Sequence, residues 1–533
     1  MSGEQLYHRL QKKNRGHIFL LSFLSVCISI LTVGFAYLSK WVLDSIGTSQ
    51  FVIFASILGA IILFEVLGKI LSSHLSSKFS YRLECQLREE VYFSFLRKPQ
   101  MECEEKKDSE WVSRLISDVR VVSSGVIGYI PSVVSLLSRI CLSFVILFVV
   151  DWMFALILFC AGIFIYVSTY FLRKRNKVLH KNVQEKEANS LGFYQEGVSH
   201  SFLFRLFSQL PNLSKKCEKI QEEAYDAKMK QMVFSNFING GFLFFMRASY
   251  FLSIIYCALR FDAGLSVGSL FAMVQLIGQI EGPFSSLSGM IPRYYSTIGS
   301  CERIIECYQM EANEKEHLSS FDSVEFCNVS FSYHEDDWIL KHVNLTMERG
   351  KFYVLMGPSG GGKSTLTKLL MGLYCPTNGA IKTMGKDMTS LEGLFSYVPQ
   401  GNWLLQGTIR ENLTLFQEHA TEEDCYQALD LACLKEKVLS LPKKLDTPLS
   451  DFGEGLSVGE GQRLSIARAL ITKRPFLVLD ECTSALDEES EKQLLQKLKS
   501  QNVTILFISH KPRAKEYADK VWVLKEGAVV ENE

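Results

Sequence analysis

Long apolar stretches dominate the first half of the sequence, whereas the second half alternates short apolar runs with polar segments. A membrane-spanning helix needs roughly 20 mostly apolar residues with few charges among them. On this criterion the pattern predicts six membrane-spanning helices. They cover approximately residues 17–45, 51–75, 128–150, 153–175, 233–259 and 264–290.

Two long intervals between these spans, residues 76–127 and 176–232, are rich in helix-forming residues and poor in Gly and Pro. This composition predicts that the spanning helices continue beyond the bilayer. Both intervals are also rich in Lys and Arg, while the short connections near Gly47, Asp151 and Asp262 carry almost none. The charge asymmetry therefore predicts that the long intervals, the N-terminus and the C-terminal half are cytoplasmic.

From Val324 onward, short β-type runs alternate with helical segments, a pattern typical of an α/β nucleotide-binding domain. The runs predicted as strands are 352–355, 476–479, 503–508 and 521–524. The predicted fold class is thus a membrane all-α six-helix bundle followed by an α/β P-loop nucleotide-binding domain. Residues 1–310 would form the membrane domain, 311–322 a polar linker, and 323–533 the nucleotide-binding domain.

The charge of the chain is balanced, with 57 Lys and Arg residues against 57 Asp and Glu residues. With no net charge, the protein has no overall electrostatic field that would attract nucleic acid. The expected partners are membrane lipids and a transported molecule, and no nucleic acid.

Residues 357–364 fit the phosphate-binding pattern G-x-x-x-x-G-K-[ST], directly after an apolar run and directly before a helical one. The glycines let backbone N–H groups close round phosphates at a helix N-terminus. Lys363 would reach the outer phosphates and the Ser364 hydroxyl would bind Mg²⁺, so the implied cofactors are ATP and Mg²⁺. The residues expected to hold the nucleotide here are Gly357, Pro358, Ser359, Gly360, Gly361, Gly362, Lys363, Ser364 and Thr365.

A buried apolar run ends in two carboxylates, Asp480 and Glu481. Asp480 would lie beside the Mg²⁺, and Glu481 would orient or deprotonate the attacking water. Acidic pairs after strands often only cap helices, but the phosphate loop favours the catalytic interpretation.

The stretch 456–463, Leu-Ser-Val-Gly-Glu-Gly-Gln-Arg, resembles the signature of the ATP-binding cassette (ABC) family, usually LSGGQ. The resemblance implies that Ser457, Gly459 and Glu460 meet the γ-phosphate of a nucleotide held by a partner. Val458 and Glu460 replace the usual Gly and Gln. We expect hydrolysis to survive this change, although it brings a carboxylate near a polyphosphate and puts the rate in question.

Other positions match further motifs of the family. The resemblance implies that Tyr333 stacks on adenine, that Gln400 touches Mg²⁺ and links to the membrane domain, and that His510 contacts the γ-phosphate. Residues 484–487 match the segment that crosses the dimer interface, and Asp451 would contact the membrane domain.

The membrane half resembles the six-helix exporter type of the same family. Residues 111–118 and the loop around 196–209 are similar to the regions that touch the nucleotide-binding domains and pass on their movement. Charged residues also occur inside the predicted spans, where an ionisable group usually faces a cavity or a partner. The candidates for a cargo cavity are Glu65, Arg139, Arg247 and Glu281; the alternatives are interhelical salt bridges or side chains that snorkel to the interface.

The resemblance implies an ATP-driven exporter half-transporter, with Glu481 and His510 as catalytic residues. The phosphate loop of one chain would face the signature of another, so a dimer is required; we favour a homodimer, with a paired half-transporter as the alternative. The cargo would be hydrophobic or amphipathic, a peptide first and a drug or lipid next. A compact chain with no targeting peptide favours a bacterial plasma membrane, and a non-transporting ATP-gated sensor or channel is the rival function.

Overall fold

The computed structural model describes residues 1–104, 106, 108–260, 266–308, 316–334, 337–401, 403–415, 417, 419–449 and 455–532. The chain divides into two compact units. The first unit comprises residues 1–96 and 108–309, and the second comprises residues 97–107 and 310–533.

Helices of very different length build the first unit. They are α1 (Gly3–Lys13), α2 (Arg15–Asp44), α3 (Phe51–Leu96), α5 (Asp108–Ser113), α6 (Val119–Val150), α7 (Trp152–Ser199), α8 (Ser201–Leu206), α9 (Leu210–Leu259) and α10 (Val267–Tyr308); α4 (Gln100–Glu104) belongs to the second unit. Helices α2, α3, α6, α7, α9 and α10 occupy the positions of the six predicted spans. By length and composition, four helical stretches of the described residues could cross a membrane: Arg15–Asp44, Phe51–Leu96, Asp108–Val150 and Leu210–Tyr256.

Three of the helices are much longer than a bilayer crossing requires. Helices α3, α7 and α9 contain 46, 48 and 50 residues, more than twice the length that roughly 20 spanning residues require. The sequence did not predict α1, which precedes the first span. Its N-terminus is closed by a capping box between Ser2 and Gln5, and Leu6, Tyr7 and Leu10 are buried.

A π-helical turn, Arg114–Asp118, joins α5 to α6 and is fixed to α10 by buried polar contacts. The Asp118 carboxylate accepts hydrogen bonds from Ser300 at 2.9 Å and from two nitrogens of Arg303 at 2.8 and 2.6 Å. Arg114 pairs with Glu306 at 2.7 Å. These contacts belong to the first unit, in which residues 108–118 lie.

The residues around this turn are divided between the two units. Residues 111–118 lie in the first unit, where the π-helical turn packs on α10; their contact with the nucleotide-binding domain stays a prediction. Residues 97–107, which contain α4, belong to the second unit instead, where Met101 packs against the apolar core.

The described residues of the second unit form two large sheets and two two-stranded sheets, β1 with β7 and β9 with β10. The larger sheet has the strand order β14-β13-β4-β12-β11-β8 and is parallel except for β14; the smaller is antiparallel with the order β3-β2-β5-β6. The strands are β1 (Glu316–His317), β2 (Ser323–Ser332), β3 (Trp338–Glu348), β4 (Phe352–Met356), β5 (Asn378–Thr383), β6 (Lys386–Asp387), β7 (Leu391–Glu392), β8 (Phe395–Val398), β9 (Gly407–Thr408), β10 (Pro448–Leu449), β11 (Phe476–Asp480), β12 (Thr504–Ile508), β13 (Lys520–Lys525) and β14 (Ala528–Asn532). All four predicted strands are present, as β4, β11, β12 and β13.

Helices cover the larger sheet because its strands are apolar on both faces. Phe352 and Val354 of β4 join one buried cluster, and Tyr353 and Leu355 join another. Parallel strands covered on both sides read as continuous apolar runs, which is why the sequence predicted them. The helices of this unit are α4 (Gln100–Glu104), α11 (Lys363–Leu370), α12 (Ile409–Thr414), α13 (Glu422–Leu431), α14 (Lys435–Ser440), α15 (Val458–Ile471) and α16 (Glu488–Lys499).

The segment proposed as a linker, 311–322, contains a short strand. Residues 316–317 form β1, which pairs in parallel with β7. Residues 309–315 lie outside the described residues.

The strand register brings the predicted chemistry to one edge of the larger sheet. Asp480 at the end of β11 lies opposite Ile508 of β12, and Ile508 lies opposite Leu355 of β4. The segments that follow these three strands therefore leave the sheet side by side, at the carboxyl edge where ligands bind in open α/β sheets.

Candidate nucleotide-binding site

The phosphate loop has the predicted order of strand, loop and helix. β4 ends at Met356 and α11 begins at Lys363. Gly357 has φ +153°, and a side-chain carbon there would come 2.6 Å from the carbonyl oxygen of Leu524. Gly362 has φ +98° and caps α11. Only glycine fits these two positions, and the loop leaves backbone N–H groups at a helix N-terminus, where they bind phosphate.

Lys363 is folded back over this loop. Its side chain is buried, and its ammonium donates hydrogen bonds to the carbonyl oxygens of Gly357 and Pro358 at 2.9 and 3.0 Å. Both acceptors are backbone atoms of the phosphate loop itself. They hold the positive charge where the outer phosphates of a nucleotide would lie.

Four predicted site residues meet beside this loop. Glu481 contacts the ring nitrogen Nε2 of His510 at 2.6 Å and accepts a hydrogen bond from the Gln400 amide at 2.8 Å. Lys363 Nζ lies 3.2 Å from the same His510 nitrogen. Glu481 has φ +46°, a conformation that non-glycine residues rarely adopt and that concentrates at functional sites.

Asp480 is buried beside Glu481. Burial raises the pKa of its carboxyl, while the hydrogen bond from the Tyr397 hydroxyl at 3.2 Å acts in the opposite direction. Mg²⁺ prefers oxygen ligands, and this edge of the sheet offers the Asp480 carboxylate, the exposed Ser364 hydroxyl and the Gln400 side-chain oxygen. The donor set fits Mg²⁺.

Tyr333 lies beside the first turn of α11. Its hydroxyl is 3.1 Å from the Thr365 hydroxyl, and its partly exposed ring meets Phe331 and Tyr374 edge-on, with centroids 5.0 and 5.9 Å away. Such edge-to-face contacts fix the ring orientation. The ring is 38% exposed, which leaves surface on which an adenine could stack.

A contact that the sequence did not reveal fixes this aromatic group. The Tyr374 hydroxyl donates to the Glu104 carboxylate at 2.5 Å, and Lys368 of α11 donates to both Glu104 oxygens at 2.9 Å. Burial and this hydrogen bond raise the pKa of Tyr374. Glu104 belongs to α4, more than 250 residues earlier in the chain, and no motif marks it.

The ABC-like signature opens α15. Ser457 caps the helix by accepting a hydrogen bond from the Glu460 backbone at 3.2 Å, and Glu460 accepts one from the Ser457 backbone at 2.7 Å. Lys437 pairs with the other Glu460 oxygen at 3.2 Å. Burial acts to raise the pKa of Glu460, but these contacts outweigh it and lower the pKa below its usual value.

The same helix start is joined to residues 484–487. Gln462 donates to the Ser484 hydroxyl and accepts from the Ala485 backbone, both at 3.2 Å. A side-chain carbon at Gly459 would come 3.0 Å from the Ala485 carbonyl oxygen. The structure thus joins the signature to this segment, and separately joins the phosphate loop to Glu481 and His510. Asp451 lies outside the described residues.

The four candidates for the cargo cavity all lie in the first unit. Glu65 is on α3, Arg139 on α6, Arg247 on α9 and Glu281 on α10. They form a group distinct from the nucleotide site, which is built entirely from the second unit.

Two family models match the chain. The model described as "ABC transporter transmembrane region" matches residues 16–284, and the model described as "ABC transporter" matches residues 340–484. The first match alone spans half of the chain.

Relatives and a solved structure have the same organisation. A "Multidrug resistance ABC transporter ATP-binding and permease protein" of Lactococcus lactis subsp. lactis is 28% identical over 83% of this chain and 77% of that protein. An "ATP-dependent lipid A-core flippase" of Desulfotalea psychrophila is 27% identical over 99% and 95%. The solved structure of a bacterial Atm1-family ABC exporter with ATP bound shares the fold, with a TM-score of 0.81, 19% identity, and coverage of 97% of this chain and 95% of that one.

Proposed function

The chain belongs to the ABC transporters, as an exporter half-transporter with one transmembrane region and one ATP-binding domain, and from this premise we propose that it works as a homodimer that exports a hydrophobic or amphipathic cargo across the plasma membrane. In this family ATP hydrolysis is coupled to transport. The cargo, the identity of the second subunit and the membrane topology are the parts that we propose.

The single observation that carries the proposal is the meeting of Glu481, His510 and Gln400 at the phosphate loop. Glu481 is within reach of the position where water would attack a γ-phosphate and can accept its proton. His510 and Gln400 hold the two oxygens of that carboxylate, and Lys363 offsets phosphate charge. Mg²⁺, when bound, neutralises the charge that develops on the phosphates.

Dimer formation follows from the separation of the two half-sites. One chain carries both an intact phosphate loop and an intact signature helix start, so two identical copies could complete two sites head to tail. The apolar face of α8 also supports a second copy. Phe202, Leu206 and Phe207 are 72, 61 and 65% exposed, and apolar clusters of this kind mark interaction sites.

The cytoplasmic side of the protein is inferred from charge. The intervals 76–127 and 176–232 carry most of the Lys and Arg residues of the first half of the chain, and segments rich in these residues face the cytoplasm. The N-terminus and the ATP-binding domain would then be cytoplasmic as well.

The cargo class rests on the membrane helices and on the names of relatives. Phe244 and Phe251 of α9 are exposed, which suits a hydrophobic ligand. Relatives are named for multidrug resistance and for lipid A-core transfer, and the sequence alone put a peptide first. Peptides, drugs and lipids can all be amphipathic, so the proposal covers the three classes.

Transport into sealed proteoliposomes tests the proposal. ATP should drive accumulation of one cargo class from a panel of labelled peptides, drugs and lipids, and Glu481→Gln should abolish it. Nucleotide binding without accumulation of any cargo, or ion conductance in its place, would overturn export in favour of a sensor or channel. Activity that needs a second, different chain would overturn the homodimer alone.

A further inference from the structure

Helices α2 and α3 lie side by side and run antiparallel, and three contacts fix their register. The residues in contact are Thr32 with Glu65 (a hydrogen bond of 3.0 Å), Ile28 with Gly68 (3.2 Å to a side-chain carbon built on the glycine), and His17 with Phe79 (stacked rings, centroids 4.0 Å apart). Since both helices have the same rise per residue, a step back along α2 matches an equal step forward along α3. Arg15 of α2 is therefore level with Tyr81 of α3.

This level lies at the edge of the apolar surface of both helices. Phe19 of α2 and Leu71 of α3 are 74 and 50% exposed and belong to the apolar stretches that would face lipid. Past them, toward the level of Arg15, exposed side chains of α3 include those of His74, Lys78, Tyr81 and Arg82. Tyr81 is 66% exposed, and tyrosine is enriched where a membrane meets water. The side chains at this level would therefore lie among lipid headgroups.

A group of basic side chains, which we call the basic cluster, lies at or next to this level. Its members are Lys12 and Lys13 at the end of α1, Arg15 at the start of α2, and Lys78 and Arg82 one turn apart on α3. All five are exposed. Helix α1 is held in place, because its apolar side chains are buried in a cluster with residues of α6 and α10. The two lysines of α1 are thus fixed near the membrane surface.

The basic cluster differs from other bases of the first unit in having no carboxylate to balance it. Other bases form ion pairs, namely Arg88 with Glu84, Arg303 with Asp118, Lys186 with Glu223 and Lys228 with Glu187. None of the five cluster residues forms an ion pair with a residue that the structure describes. The sequence gives the reason, since no Asp or Glu occurs between Glu4 and Asp44 or between Glu65 and Glu84. The cluster therefore presents a net positive surface.

We propose that the basic cluster binds the headgroups of anionic phospholipids in the leaflet at this end of α2 and α3. Groups of four or more Lys and Arg directly beside a membrane span attract anionic lipids, and each base strengthens the attraction by about fivefold. Ammonium and guanidinium groups donate charge-assisted hydrogen bonds to phosphate. A zwitterionic headgroup gains less, because its own cation opposes the attraction. The inference goes beyond the proposed export function; with the proposed topology, the leaflet is the cytoplasmic one.

Lipid competition tests the cluster on the full-length protein without ATP or cargo. The protein is equilibrated with equal amounts of phosphatidylglycerol and phosphatidylcholine in detergent, and the lipids that stay bound are measured by native mass spectrometry. The test variant is Arg15→Gln/Lys78→Gln/Arg82→Gln. The matched control, Lys215→Gln/Lys216→Gln/Lys219→Gln, removes the same charge from α9 at least about 20 Å along the helix from its predicted span. That distance is roughly two Debye lengths at 0.1 M salt.

The native chain should retain phosphatidylglycerol over phosphatidylcholine by at least about tenfold, and the test variant by about twofold or less. The control variant should keep the native preference. Arg15→Lys/Lys78→Arg/Arg82→Lys should keep it too, because the charges are unchanged. Raising the salt from about 0.1 to 0.5 M should weaken the native preference, since exposed charges are screened.

Equal retention of the two lipids by the native chain, or an undiminished preference in the test variant, would overturn the basic cluster as a lipid site. An equal loss in the control variant would also overturn it, because net charge alone would then explain the preference. If the test variant does not fold, Lys78→Gln and Arg82→Gln singly should each lower the preference about two- to fivefold, and no loss in either would contradict the proposal. None of these results depends on transport, so the export proposal stands or falls separately.

Discussion

The Glu104 carboxylate accepts a hydrogen bond from the Tyr374 hydroxyl at 2.5 Å, and the Tyr374 ring in turn meets the ring of Tyr333. A residue of α4 therefore supports the aromatic group predicted to hold adenine. Burial acts to raise the pKa of Glu104, but the hydrogen bonds from Tyr374 and Lys368 outweigh it, so the pKa lies below its usual value. The carboxylate is ionised at neutral pH and can hold both donors.

We predict that Tyr374→Phe weakens ATP binding about fivefold, because a hydrogen bond of about 1 kcal/mol no longer positions the aromatic group. Glu104→Gln should weaken it too, since Lys368 loses its partner. The measurement is equilibrium binding of a fluorescent ATP analogue. Glu316→Gln is the control, because it breaks an ion pair with Lys386 in the same unit; an equal loss there would contradict the specific role of Glu104.

The second prediction concerns pH. Burial raises the pKa of Asp480, and the Tyr397 hydrogen bond lowers it by favouring the ionised carboxylate. Tyr397→Phe removes that bond, so the pKa should rise further and less carboxylate should be ionised in mild acid. The Mg²⁺ concentration for half-maximal hydrolysis should then increase more at pH 6 than at pH 8. An equal increase at both pH values would show that Tyr397 acts through packing instead.

The signature provides the third prediction. Gln can replace Glu460 in the capping box, but it removes a negative charge from the helix start that would meet a partner's γ-phosphate. Glu460→Gln should raise the rate of ATP hydrolysis about two- to fivefold, as expected from relief of a partly screened repulsion of 0.5–1 kcal/mol. Lys437→Ala should lower the rate, because it leaves the carboxylate unbalanced. A slower Glu460→Gln enzyme would contradict this interpretation.

The fourth prediction concerns the π-helical turn. Asp118→Asn keeps the shape but loses the charge that Arg303 contacts with two nitrogens. Because Arg303 is half exposed, the loss should be moderate, about 1–3 kcal/mol, and should lower the thermal unfolding midpoint in detergent. Asp226→Asn, on the exposed side of α9, is the matched control and should change little. Equal midpoints for the two variants would contradict a role for the turn in holding α10.

Much of the nucleotide site could be predicted because its residues are neighbours in the sequence. The glycines, Lys363 and Ser364 lie in one eight-residue stretch, and Asp480 and Glu481 end one apolar strand. The strands themselves were predictable because both faces of the larger sheet are buried, which leaves continuous apolar runs.

The contact between Glu104 and Tyr374 could not be predicted, since it joins residues 270 positions apart and follows no motif. The partners of Glu460 were missed for a similar reason, because Lys437 comes from a different helix. The sequence did single out Arg139 as a charge among apolar residues. In the structure, its buried Nε atom has no hydrogen-bond partner, which the sequence could not show.

The most direct test is ATP hydrolysis by the purified chain alone in lipid discs, compared with Glu481→Gln and with Glu489→Gln as an exposed control. We predict turnover by the native chain and the control, and a loss of at least about 100-fold in Glu481→Gln with ATP binding retained, the usual contribution of a general base. A native chain that binds ATP without hydrolysing it, or a Glu481→Gln variant as fast as the native chain, would contradict the account.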